Sequence, residues 1–415
     1  MAHFLSLKSV DQILGLIAAF PALEAEETPL SEALGRVLAA PFTAPEDLPG
    51  FSRSTMDGFA VRAKDVFGAS EGLPALLDLL GECPMGEVPA VTIRAGQCAR
   101  VWTGGMLPAG ADAVVMLEYA REAGNGQVEL TRPAAPLENV IMADEDAARG
   151  QELLPGGRAL RAQELGLLAA FGAENILVRR KPRVAVLSSG DEVVPPGAAP
   201  RPGQVRDINS YSLAGLVQSA GGECRRLGIA ADTEESLRGL LETALDWADV
   251  ILVSGGSSAG MRDCTLQTFT ALGAEILAHG VAISPGKPLI LASLGEQSRK
   301  KSLWGLPGHA AGAMVCAEVF IRPLLRQLSG VENKAEWRQK RRAILARALP
   351  SAQGRRDYIR VRLNVGEASG LPTAIPILGK SGLISTLVEA DALIICPEDQ
   401  EGLYAGQVVE LHELL

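Results

Sequence analysis

The chain has 415 residues, a length that suggests two to four domains. Its composition, 47% hydrophobic and 21% charged, is typical of a globular protein and excludes a largely disordered one. The net charge of −10 argues against a nucleic acid or an anionic membrane surface as the main partner. An anionic ligand can still bind through local cations and backbone N–H groups.

The six cysteines are scattered and form no C-x-x-C pair, so neither a structural zinc site nor a redox dithiol is expected. The first twenty residues lack the basic start and the small-residue cleavage site of a signal peptide, and Asp11 interrupts their apolar run. No apolar run approaches the roughly 20 residues of a membrane span. We therefore expect a cytoplasmic protein with no membrane contact.

The first 180 residues predict a β unit inserted into a helical domain. Residues 8–40 are predicted to be helical, because Val10, Ile13 and Ile17 fall on one helix face. Residues 42–140 are rich in Gly and Pro and contain short apolar runs, a pattern typical of a β or mixed unit. Residues 160–172 return to a helical pattern. We predict a discontinuous helical domain over 1–45 and 141–180 and an inserted β-rich domain over 46–140.

Residues 181–330 alternate buried strands with amphipathic helices, which predicts a parallel α/β sheet. Strands are expected at 183–189, 249–256, 274–283 and 288–294, and a final helix at 309–328. Asn209 or Ser210 is expected to cap the first helix of this region, and Asp232 the second. The charged stretch 331–342 is predicted to be solvated surface, within a small C-terminal β domain over 331–415. The fold class is thus α/β and multidomain.

The stretch "ISPGKPLIL", residues 283–291, places a lysine in a turn between two apolar runs. It is not a P-loop, because five residues separate Gly280 from Gly286 and Pro288 stands where the hydroxyl residue is required. Two prolines flank a permissive glycine, so Pro285, Gly286, Lys287 and Pro288 predict a rigid turn. Such a turn is either an ordinary hairpin with a solvated lysine or a device that holds one ammonium at an anion site.

Three further polar turns follow predicted strands, and parallel sheets bind ligands at the carboxyl ends of their strands. The first turn holds Ser188, Ser189, Gly190, Asp191 and Glu192; the second holds Ser254, Gly255, Gly256, Ser257, Ser258 and Asp263; the third holds Pro307, Gly308 and His309. Four such turns in one sheet favour an active site over tight packing alone. Carboxylates beside an anion site suggest bound Mg²⁺, with Asp191, Glu192, Asp207 and Asp263 as the candidate ligands.

The inserted unit contains two rigid polar loops, "PGFSRSTMDGFAVRA" at 49–63 and "VWTGGMLPAGADAVVMLE" at 101–118. They are either surface loops or the means by which the insertion reaches the site of another domain. The four histidines are too scattered for a histidine-ligated metal, and His309 alone lies in a candidate site. No G-x-S-x-G elbow of a hydrolase occurs.

In this order, "STMDGFAVRA", "TGGMLPAGADAVVMLE", "LSSGDEVV", "SGGSSAGMRD", "PGKP" and "GLPGH" resemble the molybdopterin molybdenumtransferase family, which includes the C-terminal domain of gephyrin. The resemblance spans nearly the whole chain. It implies a four-domain homodimer with a discontinuous helical domain, an inserted β domain, a molybdopterin-binding α/β domain and a C-terminal β domain. It also implies a molybdopterin adenylyltransferase upstream and acceptor molybdoenzymes downstream as possible partners.

The implied reaction inserts molybdate, or tungstate, into adenylated molybdopterin with Mg²⁺-dependent release of AMP. Asp57, Asp191, Asp263 and Lys287 are the implied catalytic residues, with Mg²⁺ at Asp191, Glu192 and Asp263. Asp57 and Thr103 are implied to complete the site of the other subunit. The implied substrate-binding residues are Thr103, Ser188, Ser189, Gly190, Asp207, Asn209, Ser254, Gly255, Gly256, Ser257, Pro285, Gly286, Pro288, Pro307, Gly308 and His309.

The chain departs from the family pattern at the expected oxyanion site. His309 stands for an Asn, Ala310 for a Pro, and Gly312 for a Ser implicated in oxyanion binding; Ser284 stands for a Lys. These changes predict a differently tuned oxyanion site, at which tungstate serves as well as molybdate.

Two other function classes remain open at this level. One is a non-catalytic scaffold or cofactor carrier on the same fold, because fold alone does not decide function. The other is an adenylyltransferase resembling an isolated molybdopterin-binding domain, which the additional domains disfavour. The presence of Asp57, Asp191, Asp263 and the lysine turn favours the insertion enzyme.

Overall fold

The computed structural model describes residues 7–255, 259–296, 300–331, 341–364 and 370–413, with the side chains of 259–263 and 413 left undescribed. The helices are α1 Val10–Ala18, α2 Ala162–Ala170, α3 Asn209–Ser219, α4 Glu234–Trp247, α5 Ala259–Ala271, α6 Ala310–Cys316, α7 Arg322–Leu328 and α8 Ser385–Val388. No helix in these ranges is long and apolar enough to cross a membrane.

The N-terminal region carries short strands around one larger sheet. Its strands are β1 Ala25–Pro29, β2 Phe42–Thr43, β3 Arg53–Ser54, β4 Gly58–Val61, β5 Ala75–Glu82, β6 Gln97–Val101, β7 Ala113–Met116, β8 Ala120–Gly124, β9 Gln127–Leu130, β10 Val140–Ile141, β11 Glu152–Leu154 and β12 Asn175–Arg179. Six of them form the sheet β7-β4-β6-β5-β9-β8. The chain enters and leaves this sheet side by side, because β3 pairs with β10 and β2 with β11. The prediction of an inserted β unit is confirmed.

The prediction of helix over 8–40 is wrong beyond Ala18. Pro21 and Pro29 disfavour helix in this stretch, and Ala25–Pro29 instead forms β1, which pairs with β12 some 150 residues later. The helix that does form, α1, buries Val10, Ile13 and Ile17 in the same core as the central sheet. The domain limits given above stay a prediction.

The central region forms three layers. Its strands are β13 Arg183–Ser189, β14 Val193–Val194, β15 Val205–Arg206, β16 Glu223–Ala230, β17 Val250–Gly255, β18 Glu275–His279, β19 Ile283–Ser284, β20 Ile290–Leu294 and β21 Lys301–Pro307. The sheet order is β16-β13-β17-β21-β20-β18. Helices α1, α3, α6 and α7 cover one face of the sheet, and α4 and α5 cover the other.

The first four strands of that order are parallel, as predicted. Strand β20 runs antiparallel to both β21 and β18, which was not expected. A parallel neighbour requires a crossover connection, usually a helix. The segment between β18 and β20 contains only β19 and the lysine turn, so β20 returns in the opposite direction.

The two predicted helix caps are wrong. Helix α3 begins at Asn209, and the carboxylate of Asp207 accepts a hydrogen bond from the Ser210 N–H (3.1 Å). Helix α4 begins after Thr233, whose hydroxyl accepts from the Ser236 N–H (3.3 Å). A free N–H group at the start of α4 is satisfied by the residue directly before the helix, and one at the start of α3 by the residue two positions before it. Asp232 is therefore not needed as a cap.

The final helix of this region is continuous, as predicted, but changes its winding. A π-helical turn, Ala317–Ile321, joins α6 to α7. Beyond it lies the C-terminal region, with strands β22 Arg342–Leu345, β23 Leu349–Pro350, β24 Arg356–Asn364, β25 Thr373–Pro376, β26 Ala392–Cys396, β27 Gly402–Leu403, β28 Val408–Glu410 and β29 His412–Glu413. Six of them form a mainly antiparallel sheet, β28-β22-β25-β24-β26-β29, and β23 pairs with β27 separately, which confirms the C-terminal β domain.

Candidate active site

The polar turns of the central region meet at one edge of the sheet. Strands β13, β17 and β21 are in register, so Ser189, Gly255 and Pro307 lie side by side where these strands end. One residue earlier, Ser188 and Ser254 are also paired. The sheet thus brings together residues that are separated by more than 100 positions in the sequence, at the edge where ligands bind in this architecture.

Asp207 organises the turn after β13. Its carboxylate accepts hydrogen bonds from the Ser188 hydroxyl (2.8 Å), the Ser210 hydroxyl (2.6 Å) and the Ser210 N–H. All three residues are buried. Both oxygens of Asp207 are therefore engaged, which makes the residue a structural support of the site and disfavours its candidacy as a metal ligand.

Asn209 ties three turns together. Its side-chain amide donates to the Ser254 hydroxyl (2.7 Å) and to the Gly308 carbonyl (2.8 Å). Two buried polar atoms here lack a partner within the described residues, the Asn209 Oδ1 and the Ser189 Oγ. Buried polar groups are normally satisfied, so these two atoms are suited to receive a ligand or an ordered water.

Gly255 is required at its position. A Cβ on Gly255 would overlap the Ser189 hydroxyl. Because Gly255 has no side chain, the polar ends of β13 and β17 can lie close together. Gly256, Ser257, Ser258 and the side chain of Asp263 lie outside the described residues; the backbone of Asp263 is in α5.

Asp191 lies next to Asp232, an acid that the sequence analysis assigned to a helix cap. The Asp191 carboxylate accepts from the Asp232 N–H (3.0 Å). Burial raises the pKa of Asp232, and the charges of Asp191 and Glu192 raise that pKa further. One oxygen of Asp232 is buried without a partner in the described part of the chain. A polar residue before a helix predicts a cap, and no motif in the sequence indicates that Asp232 lies at the site.

These acids do not form a ready-made metal site. Among the described side chains, no group of three or more His, Cys, Asp or Glu is arranged to hold a metal ion. Asp191, Glu192 and Asp232 nevertheless supply carboxylate oxygens, the ligand type that Mg²⁺ prefers. The Asp232 oxygen that has no partner among the described residues is therefore suited to coordinate a cation.

The lysine turn connects two different sheets and is not a hairpin. Strand β19 pairs with β24 of the C-terminal sheet, whereas β20 belongs to the central sheet. Gly286 has a φ of 124°, and a Cβ there would overlap the Cys316 sulfur. The Lys287 carbonyl accepts from the Val281 and Leu289 N–H groups, both at 3.0 Å.

The Lys287 backbone is thus fixed, while its side chain is exposed. The ammonium forms no hydrogen bond or ion pair with any residue that the structure describes. An ammonium that extends from a fixed backbone and has no partner in the described part of the chain is available to an anion. Pro285 and Pro288 lie half-buried on either side of this turn.

The C-terminal region contacts the His309 turn directly. The His309 Nδ1 lies 2.8 Å from the Ser381 hydroxyl, and the Ala311 N–H donates to the Ser381 carbonyl (2.9 Å). The buried Arg360 holds the same loop, donating to the Gly379 carbonyl (3.1 Å) and the Thr386 hydroxyl (2.5 Å). Sequence reasoning missed Ser381 and Arg360, because no motif links them to residue 309.

Asp57 and Thr103 form a separate pair on the inserted sheet. One Asp57 carboxylate oxygen accepts from both the Thr103 N–H (2.9 Å) and the Thr103 hydroxyl (2.8 Å). These bonds lower the pKa of Asp57, which is otherwise open to solvent. The described side chains show no hydrogen bond or ion pair between this pair and the central turns.

The three sections of the chain match three family descriptions. Residues 8–172 match the MoeA N-terminal region (domain I and II), residues 185–327 a probable molybdopterin binding domain, and residues 342–414 the MoeA C-terminal region (domain IV). Together these matches cover most of the chain, and they follow the order of the N-terminal, central and C-terminal regions described above.

Similar proteins and a solved structure support the same assignment as these three matches. The chain is 38% identical to a molybdopterin molybdenumtransferase of Nostoc sp., over 74% of this chain and 70% of the relative. It is 33% identical to a putative molybdopterin biosynthesis protein of Methanocaldococcus jannaschii, over 94% and 92%. The crystal structure of a molybdopterin biosynthesis MoeA protein from Pyrococcus horikoshii superposes with a TM-score of 0.83 at 35% identity, covering 98% of this chain and 99% of that one.

Proposed function

The chain belongs to the molybdopterin molybdenumtransferase family, and we propose on that premise that it inserts molybdenum from molybdate into adenylated molybdopterin and releases AMP. It is an enzyme of molybdenum cofactor biosynthesis. The observation that carries the detailed proposal is Lys287, whose backbone is fixed between two sheets while its ammonium has no described partner.

Lys287 and His309 bind the oxyanion. The lysine turn packs on the start of α6, since a Cβ on Gly312 would lie 3.7 Å from the Gly286 nitrogen. The His309 turn therefore adjoins the lysine turn. An ammonium and an imidazole at one place give charge-assisted hydrogen bonds to a tetrahedral dianion.

Asp191, Glu192 and Asp232 face the phosphoanhydride and would hold Mg²⁺ there, with Asp263 as a further predicted ligand. When bound, the ion neutralises the negative charge that develops as AMP leaves. The Asn209 Oδ1 and Ser189 Oγ, both buried and without a partner among the described residues, would orient the pterin or phosphate part of the substrate. The dense bonding around Asp207 keeps these groups in position before the substrate arrives.

Asp57 and Thr103 act in trans in a homodimer. Their pair is preformed, and the described side chains show no hydrogen bond or ion pair that joins it to the central turns of its own chain. A second subunit that brings its inserted sheet to this site would supply an ionised carboxylate. The proposed setting is the cytoplasm, with a molybdopterin adenylyltransferase as supplier and molybdoenzymes as acceptors.

The test is oxyanion-dependent release of AMP. Purified protein is mixed with adenylated molybdopterin and Mg²⁺, and AMP is measured with molybdate, with tungstate, and with sulfate as the inert control. We expect release with molybdate, and also with tungstate because His309 and Gly312 alter the anion site. Binding of the substrate without AMP release at any oxyanion concentration would favour a carrier or scaffold instead.

A further inference from the structure

The segment that leads into the lysine turn lies on the C-terminal region. Strand β19, Ile283–Ser284, ends directly before the turn and pairs in parallel with Arg356 and Asp357 of β24. The Arg356 N–H also donates a hydrogen bond to the Ala282 carbonyl (2.9 Å). The pairing covers two residues, which is short for a strand. Side-chain contacts are therefore needed to fix β19 against β24.

The Arg356 side chain supplies such contacts. Its guanidinium donates to both carboxylate oxygens of Asp11 on α1 (3.1 and 3.0 Å) and to both of Glu398, in the loop after β26 (2.9 and 3.0 Å). Bidentate pairs between arginine and carboxylate fix orientation as well as distance. Arg356 therefore joins the N-terminal helix, the C-terminal region and the strand that leads into the lysine turn.

Hydrogen bonds continue from Arg356 to Lys287. Ala282, which accepts from the Arg356 N–H, donates in turn to the Lys8 carbonyl (2.9 Å) shortly before α1. The preceding residue, Val281, donates to the Lys287 carbonyl (3.0 Å). A shift of Arg356 relative to α1 would therefore move the backbone from which the Lys287 ammonium extends.

We infer that Arg356 is a positioning residue for Lys287: by joining α1, β24 and β19, it sets the position of the ammonium. This inference rests on the proposed function, in which Lys287 binds the oxyanion. Arg356 itself has no contact with the anion in this account and acts through the turn. Its loss should therefore weaken oxyanion binding through Lys287 and through no other group.

Arg180 offers a matched control. It also pairs with two carboxylates from different parts of the chain, donating to both oxygens of Asp249 (2.9 Å each) and to Glu24. Arg180 and Asp249 precede β13 and β17, so this joint lies at the end of the central sheet opposite to the lysine turn. Substitution of Arg180 removes ion pairs of the same kind without touching that turn.

The experiment compares Arg356→Gln with Arg180→Gln, using molybdate alone as the probe. Calorimetry measures molybdate affinity, and hydrogen exchange reports on the amides of Val281 and Leu289, which both donate to the Lys287 carbonyl. We expect Arg356→Gln to weaken molybdate binding on the order of threefold to tenfold and to speed exchange at both amides. Arg180→Gln should change neither, although its melting temperature also falls. In a Lys287→Ala background, Arg356→Gln should cause no further loss of affinity.

A second variant keeps the test sharp if Arg356→Gln does not fold. Asp11→Asn removes one of the two pairs at a side chain that is 67% exposed, so the fold should tolerate it. We expect a smaller loss of molybdate affinity than in Arg356→Gln, and faster exchange at the same two amides.

Unchanged molybdate affinity in Arg356→Gln and in Asp11→Asn, together with a loss in Lys287→Ala, would overturn the inference and leave the proposed function intact. The inference also fails if Arg180→Gln loses as much affinity, or if the loss in Arg356→Gln persists in the Lys287→Ala background. If exchange in the turn quickens but no variant, Lys287→Ala included, changes molybdate affinity, Arg356 does fix the turn, and the proposed oxyanion role of Lys287 is wrong.

Discussion

The central turns and the inserted sheet hold their polar groups in opposite ways. At the central turns, Asp207 and Asn209 are buried, and their hydrogen bonds join three strand ends. On the inserted sheet, Asp57 is exposed and bonded to Thr103 alone among the described side chains. The first arrangement joins the ends of three strands of one chain. The second shows no hydrogen bond or ion pair to those strand ends among the described side chains.

This difference separates two kinds of site residue. Removing a buried, multiply bonded group changes stability as well as activity, because its partners remain buried and unsatisfied. Removing an exposed group that a single neighbour holds in position, such as Asp57, changes activity with little effect on stability. The predictions below use this contrast, from the largest expected effect to the smallest.

Asp57→Asn should lower the rate of AMP release on the order of 100-fold, because it removes a positioned charge, with little change in melting temperature. Co-expression with Lys287→Ala tests whether the pair acts in trans. Mixed dimers would then contain one intact site, and activity should return to about a quarter of normal. Activity as low as in the separate variants would mean that Asp57 serves the site of its own chain, or none.

Lys287→Ala should weaken molybdate binding by roughly 10-fold or more, since a charge-assisted contact is lost. The protein should remain folded, because the side chain is exposed. Lys64→Ala, at an exposed lysine of the inserted region, is the matched control. Calorimetric titration of molybdate measures both. Equal affinities in the two variants would remove Lys287 from the site.

Asp207→Ala should lower the free energy of unfolding by about 2–4 kcal/mol, because a helix cap is lost and the buried Ser188 and Ser210 hydroxyls are left unsatisfied. Urea unfolding measures the change. Asp57→Ala is the comparison, with little expected loss. If the two variants unfolded alike, the contrast between buried and exposed supports would be wrong.

Asp232→Asn should raise the melting temperature slightly at neutral pH while reducing Mg²⁺-dependent AMP release. Burial raises the pKa of Asp232, so its charged form is disfavoured in the folded protein. A raised carboxyl pKa costs stability above that pKa, and the cost disappears as pH falls below the unfolded value near 4. The stabilisation by Asn should therefore fade in acid. A variant less stable at neutral pH would contradict this assignment.

Gly312→Ser should have the smallest effect, a gain in molybdate affinity of roughly 2- to 10-fold from one added hydrogen bond. A side chain at 312 fits with a small shift, since its Cβ would lie 3.2 Å from the Pro307 Cβ. Gly312→Ala introduces the same crowding without the hydroxyl. Equal affinity in the Ser and Ala variants would show that the hydroxyl does not reach the anion.

Local patterns predicted the elements that carry a continuous apolar run or a helical apolar stripe. Continuous apolar runs identified β13 and β17, which are almost wholly buried, and the stripe of Leu237, Leu241 and Ala244 identified α4. The same local signals failed at β1, because Thr28 is the one buried residue of that strand and the strand carries no apolar run. Its pairing with β12, some 150 residues later, is set by the fold.

The residues of the candidate site likewise divide into those that local patterns predict and those that only the fold brings together. Polar turns after strands located Ser189 and Gly255, and the shared edge of parallel strands explains why these two meet. Lys287 precedes β20, which runs antiparallel to β21, so its turn lies at the end of the sheet where β21 ends. Ser381 was missed because it reaches His309 from a loop of the C-terminal region, and Arg360 was missed because it acts on that loop and not on His309. Asp232 was assigned to a cap because acids at helix starts usually serve there. Only the fold places it beside Asp191.

The most direct test of the account is a single turnover in which AMP release and molybdenum bound to the pterin are measured in the same sample. The central claim is that one site cleaves the phosphoanhydride and receives the oxyanion. We predict equal amounts of released AMP and pterin-bound molybdenum from the unaltered protein, and loss of both in Lys287→Ala. AMP release without molybdenum in the pterin would contradict the claim.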